Sequence, residues 1–208
     1  MNTRSLTGWL LVIGPILTFV VLAGLYSALI GDGDPGPAAV ADLMKNTQLS
    51  LIVTALGSVV FVATFIGMAL LANSMNAEGQ AGSAYAAVAG VIFAGLAAIG
   101  IVATGMNAAT IEVAATSVES AAIMDLVGNG MFSGLFFYWA IGNILIGSTI
   151  LIQKRFHIAV GCLFVVVGIL MILASVVDAE IPDAVGLIIW VGVELVAVVA
   201  GVFVLREK

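Results

Sequence analysis

Six stretches of the chain, roughly residues 8–30, 49–72, 84–107, 126–152, 158–177 and 184–205, are almost unbroken hydrocarbon, and the polar residues gather between them. About 20 apolar residues at about 1.5 Å each cross a bilayer's hydrocarbon core, so every run is long enough for a spanning helix. Apolar side chains lie at all angles around these runs, unlike a surface helix with one polar stripe. Barrel strands would alternate at period two, and these runs do not. The first run follows Arg4 as a secretory signal would. Its length of about 23 residues exceeds the usual 7 to 15 of a signal's apolar region, which predicts a retained span. The expected fold is all-α: a polytopic six-helix bundle forming a single integral membrane domain over residues 1–208.

The polar segments predict smaller elements. "GDGDPGPAAVADLMKNTQ" opens on Gly and Pro turn residues and ends in a stretch suited to a short helix on the membrane surface. "NAATIEVAATSVESAAIMD" predicts a short outer amphipathic helix between spans 3 and 4, with Glu112 and Glu119, seven residues apart, on one face. The connections "SMNAEGQAG" and "QKRFH" are short, which makes the spans they join antiparallel neighbours. Pro15 in "VIGPIL" lacks a backbone donor and predicts a kink in the first span. Trp9 and Tyr26, near the span ends, read as interfacial anchors.

Basic residues in short loops set orientation. With the N-terminus inside, Arg4, Lys154, Arg155, Arg206 and Lys208 are cytoplasmic, and Lys45 alone is outside. Both termini are therefore expected in the cytoplasm, in an inner or plasma membrane. Asp32, Asp34, Asp42, Glu112, Glu119, Asp125, Asp178, Glu180 and Asp183 then all lie outside and make that face strongly acidic.

Composition narrows the function classes. The chain is 62% hydrophobic and 9% charged, against about 25% charged in soluble domains. Its mean hydropathy of +1.26 agrees with membrane residence. The single cysteine, Cys162, permits no intramolecular disulfide or CxxC pair, and the single histidine, His157, permits no bis-histidine haem within the chain. His157 sits beside Lys154 and Arg155, which suits an interfacial or lipid-headgroup contact. Asp32 and Asp34 lack the remaining ligands of a calcium loop. Six scattered basic residues leave no nucleic-acid footprint. No GxSxG, Walker A, HExxH or GxGxxG pattern occurs, so no enzyme and no cofactor is expected.

"GDPGPAAVADLMKNTQLSL" and "FFYWAIGNILIGSTILIQKRFHIAVGCLFVVVGILMIL" resemble a family of six-span bacterial membrane proteins classed as a domain of unknown function. The shared features are a Gly-Asp, Ala-rich loop leading to Asn and a second span, and a later span ending in a short basic turn before a Gly-rich helix. The resemblance implies a fold and no chemistry.

One residue stands apart. Glu194, inside "LIIWVGVELVAVVAGVFVL", is the single ionisable side chain deep within a span. Such a group costs about 2.5 to 3.5 kcal/mol to insert and is a functional hypothesis by default. Protonated, a carboxyl donates one hydrogen bond and accepts others. Counted from the outer ends at about 1.5 Å per residue, Glu194 lies roughly 15 Å in, Ser58 about 14 Å, Thr18 about 18 Å and Tyr138 about 18 to 20 Å. Asn143 lies nearer 25 Å, so Ser58, Thr18 or Tyr138 are the expected partners of Glu194. Asn129, Ser133, Phe136, Ala140, Asn143 and Gly147 share one face of the fourth span, and Gly186, Trp190, Glu194, Ala197 and Gly201 one face of the last. Both faces are expected to turn inward. The sequence thus predicts a non-catalytic membrane protein, either an accessory subunit or a small-ligand-binding bundle whose candidate site includes Glu194, Asn143, Ser58, Thr18, Tyr138 and Trp190. Its expected partners are membrane lipid and possible membrane subunits or a second copy. The alternative is a small transporter or channel-like protein with Glu194 as a protonatable site.

Overall fold

The computed structural model describes residues 2–176 and 183–207. The predicted outer acids Asp178 and Glu180, Val177 at the end of the fifth predicted span, and Lys208 lie outside the described residues, as does the side chain of Ser133. The described residues are helical and contain no strand. Among the described residues, six helices are long and apolar enough to cross a membrane. They are α1 (Thr3–Leu29), α3 (Thr47–Asn73), α4 (Ser83–Ala114), α5 (Val118–Gln153), α6 (Ile158–Val176) and α7 (Asp183–Arg206). A short helix, α2 (Pro37–Lys45), precedes the second span.

Local chemistry sets the helix starts. Asn2, Asn46 and Ser117 are N-caps whose side-chain oxygens accept from the backbone N–H groups of Ser5, Leu49 and Ser120 at 2.8, 3.1 and 3.2 Å. Pro37 occupies the first turn of α2, where no donor is needed. At the end of α5, Lys154 takes a left-handed conformation with φ of 51° and turns the chain into α6.

Each span packs on its neighbours in sequence, and α7 returns to α1, so the six helices form a closed ring. The seam between α6 and α7 is the loosest. Aromatic side chains fill the interior. Phe61 and Phe65 of α3 meet Trp139 of α5 with ring centroids 5.9 and 4.8 Å apart, and Phe65 stacks on Phe93 of α4 at 6.2 Å. Without water to expel between spans, association depends on close packing of small residues. Gly147 and Gly161 meet at the α5–α6 crossing: a Cβ on Gly147 would stand 2.7 Å from the Gly161 carbonyl oxygen.

The end of the bundle that carries the termini is tied by polar side chains. Arg155 donates from Nε and Nη2 to the two carboxylate oxygens of Glu207, at 2.9 Å each, and from Nη1 to Ser74. Gln153 donates to the carbonyls of Met75 and Ala81 at 2.9 and 3.1 Å. At the opposite end, α2 lies on α3, α4 and α5 and buries Val40 and Leu43. The Gly36 N–H before it donates to Asp125 at 2.8 Å.

Three expectations are corrected. No separate helix lies between spans 3 and 4. The 32 residues of α4 and 36 of α5 exceed a membrane's needs, and a short turn joins them. Their projecting ends support α2, which is the surface helix of the bundle. Glu112 therefore ends one helix and Glu119 begins the next, so they do not share a face. Beyond Pro15 the first span widens into a π-helix over Phe19–Tyr26. Tyr26 is partly buried and lines a cavity, while Trp9 is 48% exposed.

A buried Glu194 and Trp190 between apolar cavities

Glu194 is buried, with 5% of its surface exposed. Neither carboxyl oxygen has a hydrogen-bond partner among the described residues. One turn earlier on α7, the Trp190 indole Nε1 is also enclosed and unbonded. The indole N–H lies close enough to the Glu194 carboxyl for a hydrogen-bonding interaction but falls short of full hydrogen-bond geometry. Phe19, the first residue of the π-helical turn, packs on Trp190 with ring centroids 5.7 Å apart.

Two cavities flank this pair. One, of about 330 Å³, lies between α1 and α7 and is lined by Glu194 with Pro15, Phe19, Val191 and Val198 among its walls. Ile16, Val20 and Leu195 also line it and are exposed on the bundle's outside, so it is a groove at the ring's perimeter. The other, of about 520 Å³, follows the loose α6–α7 seam and is lined by Trp190, Phe136, Met171 and Ser175. Trp190 thus stands between the two spaces. The surface of the first space is almost wholly apolar, and the enclosed Glu194 carboxyl oxygens lie behind it.

The expected partners of Glu194 are engaged elsewhere. The Thr18 hydroxyl is buried 3.5 Å from that of Thr64. Ser58 hydrogen-bonds to Thr104. Tyr138 is 54% exposed and sets its ring edge-on to Phe137. Asn143 is buried and directs its amide to the Met171 sulfur at 3.8 Å. Depth along a span cannot tell which side of the ring a side chain occupies.

The inward faces are only partly as expected. Ala140, Asn143 and Gly147 of α5 are buried, whereas Asn129 is exposed. On α7, Glu194, Ala197 and Gly201 are buried, Trp190 is partly so, and Gly186 is exposed. Both faces lose burial toward the same end, near the space lined by Trp190 and Ser175. His157 accepts the Ala159 N–H at 3.2 Å and opens α6. Among the described residues no three His, Cys, Asp or Glu gather as a metal site.

Sequence reading did not single out Thr54 or Asn107, which with Tyr26, Ser58 and Thr104 line a third, mostly apolar cavity beside Leu22, Phe61 and Phe132. The signal was available: Thr54 and Ser58 are four apart on one span, Thr104 and Asn107 three apart on the next, and a short connection makes those spans antiparallel. Compared with protein-family models, curated proteins and solved structures, the chain matches none.

Proposed function

We propose that this chain is a non-catalytic membrane protein that binds a membrane-soluble amphiphile beside Glu194 and Trp190. The carrying observation is that the Glu194 carboxyl and Trp190 indole N–H are enclosed and unbonded where two apolar cavities approach. A buried polar group without a partner costs about 1 to 3 kcal/mol, so an occupant that bonds both groups is favoured over leaving them imperfectly paired. The indole donates and the carboxyl accepts, or donates when protonated. The matching headgroup carries a donor and an acceptor, as a hydroxyl or carboxamide does. The apolar remainder fits the groove of about 330 Å³ or the space of about 520 Å³ along the α6–α7 seam. The excess of basic residues on the terminal side favours cytoplasmic termini in an inner or plasma membrane.

Native mass spectrometry of the purified full-length protein tests this reading. The wild type should retain a small amphiphile that Glu194→Leu and Trp190→Phe lose. Equal retention by all three would overturn it.

A second reading is a small transporter in which Glu194 takes up and releases a proton. It is supported by the position of Glu194 near the middle of α7 with no basic side chain bonded to it. Uptake into proteoliposomes that depends on pH in the wild type and not in Glu194→Gln would favour transport over amphiphile binding.

A further inference from the structure

The outward face of α5 carries a feature independent of Glu194. We propose that this face docks on the same face of a second copy of the chain, making a two-fold dimer in the membrane. The 36 residues of α5 extend about 54 Å at about 1.5 Å each, against about 30 Å of hydrocarbon and about 40 to 45 Å with the headgroups. Counted from Gln153 at the basic turn, about 20 residues cross the hydrocarbon, which puts 118–130 at or above the headgroups. The polar chemistry of that stretch agrees. Asp125 accepts the Gly36 N–H before α2, and Glu119 is exposed one turn above Ile123.

Yet the outward face stays apolar at that level, with Ile123, Leu126 and Val127 exposed by 59, 51 and 54%. Within the hydrocarbon such exposure is ordinary, because lipid tails cover it. Above the hydrocarbon tails do not reach, and a contiguous apolar patch there marks a protein contact. Spacings of three and four carry the same face down through Gly130 and Gly134 to Tyr138, which is 54% exposed. The face is therefore continuous from the water side into the bilayer.

Shape and area select a second copy as the occupant. Among the described residues, a Cβ added to Gly130 or Gly134 would meet nothing within 4 Å, so neither glycine serves packing inside one bundle. Glycine weakens a helix relative to alanine, and nothing within the single chain offsets that cost. Between the larger side chains the pair leaves a hollow one turn tall. A partner helix reaches its floor where it too lacks side chains, and the same face of a second copy meets that condition by two-fold symmetry. The half-exposed side chains above and below the hollow, on two copies, bury on the order of 1,000 Å², enough for a specific association. No charged side chain lies on the face from Ile123 to Tyr138, since Asp125 is on the opposite side of the helix with the loop before α2, so docking desolvates no charge.

The test uses the full-length protein, carrying one fluorophore per chain, in liposomes over a range of protein-to-lipid ratios, with photobleaching steps counted spot by spot. The wild type should pass from one-step to two-step spots as its density rises. The double variant Gly130→Leu, Gly134→Leu should need about tenfold or more higher density to do so. Gly95→Leu is the control: it fills an equally open position on α4 that has no glycine four residues away, and it should dimerise as the wild type does. Val127→Glu, above the hydrocarbon, supplies a second variant should the double variant fail to fold, with the same weakening expected. In a Cys162→Ser background, Val127→Cys should form a disulfide between copies on oxidation, and Val88→Cys on the exposed face of α4 should not. One-step spots at every density overturn the inference and leave the face to lipid or to a different protein. So do dimers that form equally well in the folded variants.

Discussion

Gly8 and Gly201 meet where the first and last spans cross, and this contact closes the ring. A Cβ placed on Gly201 would stand 2.9 Å from the Gly8 carbonyl oxygen and 2.8 Å from the Leu11 Cβ. Further along the same pair of helices Phe19 packs on Trp190 and Pro15 lines the groove beside Glu194, so the candidate site depends on this close approach.

Gly201→Ala should therefore force α1 and α7 apart and destabilise the protein by about 1 to 3 kcal/mol, the usual cost of overpacking. Gly95→Ala is the matched control. Nothing lies within 4 Å of the Cβ it would add, and alanine is the better helix former by about 1 kcal/mol. Unfolding of both variants in one detergent should give opposite signs.

The Glu194 account predicts that stability and ligand retention separate. Glu194→Leu removes an unsatisfied buried carboxyl and should stabilise the ligand-free protein by about 1 to 3 kcal/mol while abolishing retention of the amphiphile. Glu194→Gln keeps a donor and an acceptor and should retain the amphiphile more weakly than wild type. Melting with and without delipidation, read beside native mass spectra, checks both statements.

Arg155 and Glu207 form a two-pronged ion pair whose side chains are 19% and 29% exposed. A fork of this kind is worth about 1 kcal/mol after screening, and the Ser74 contact adds to it. Arg155→Lys should not restore the loss of Arg155→Ala, because an ammonium cannot match two carboxylate oxygens at once. A double-mutant cycle with Glu207→Gln, run at low and high salt, measures the coupling.

Asp42 holds the turn before α2. The bond from Lys45 at 2.6 Å, then that from the Gly33 N–H at 3.0 Å, keeps its carboxyl below the ordinary carboxylate range. A depressed folded-state value means the stabilisation is complete above the unfolded value and is lost as pH falls through the folded one. Protection of the Gly33 amide, measured against its intrinsic exchange rate at each pH, should fall on acidification. Lys45→Met should move that loss of protection to higher pH.

The fold was legible because long apolar runs leave a chain few alternatives. The spans at 49–72 and 84–107 fall within α3 and α4, and the loop helix expected after Pro37 is α2. Periodicity did not reveal that Ala115, Thr116 and Ser117 would break one amphipathic stretch into two span extensions, since each half stays helical on its own terms. Glu194 and Trp190 were legible as a face of α7, because four residues separate them on an apolar helix. Their lack of partners was not. Whether Thr18 or Ser58 reaches Glu194 depends on the rotation of α1 and α3 about their axes, and Gly14, Gly57 and Gly67 set that rotation through contacts invisible in a single sequence.

The most direct measurement is a high-resolution structure of the wild-type protein in native lipid, inspected at Trp190 and Glu194. The account predicts non-protein density within hydrogen-bonding distance of the indole Nε1 and of a carboxyl oxygen, continuing into one of the flanking cavities. An indole bonded directly to the carboxyl, with only lipid tails in both cavities and no polar atom between the two side chains, would contradict it.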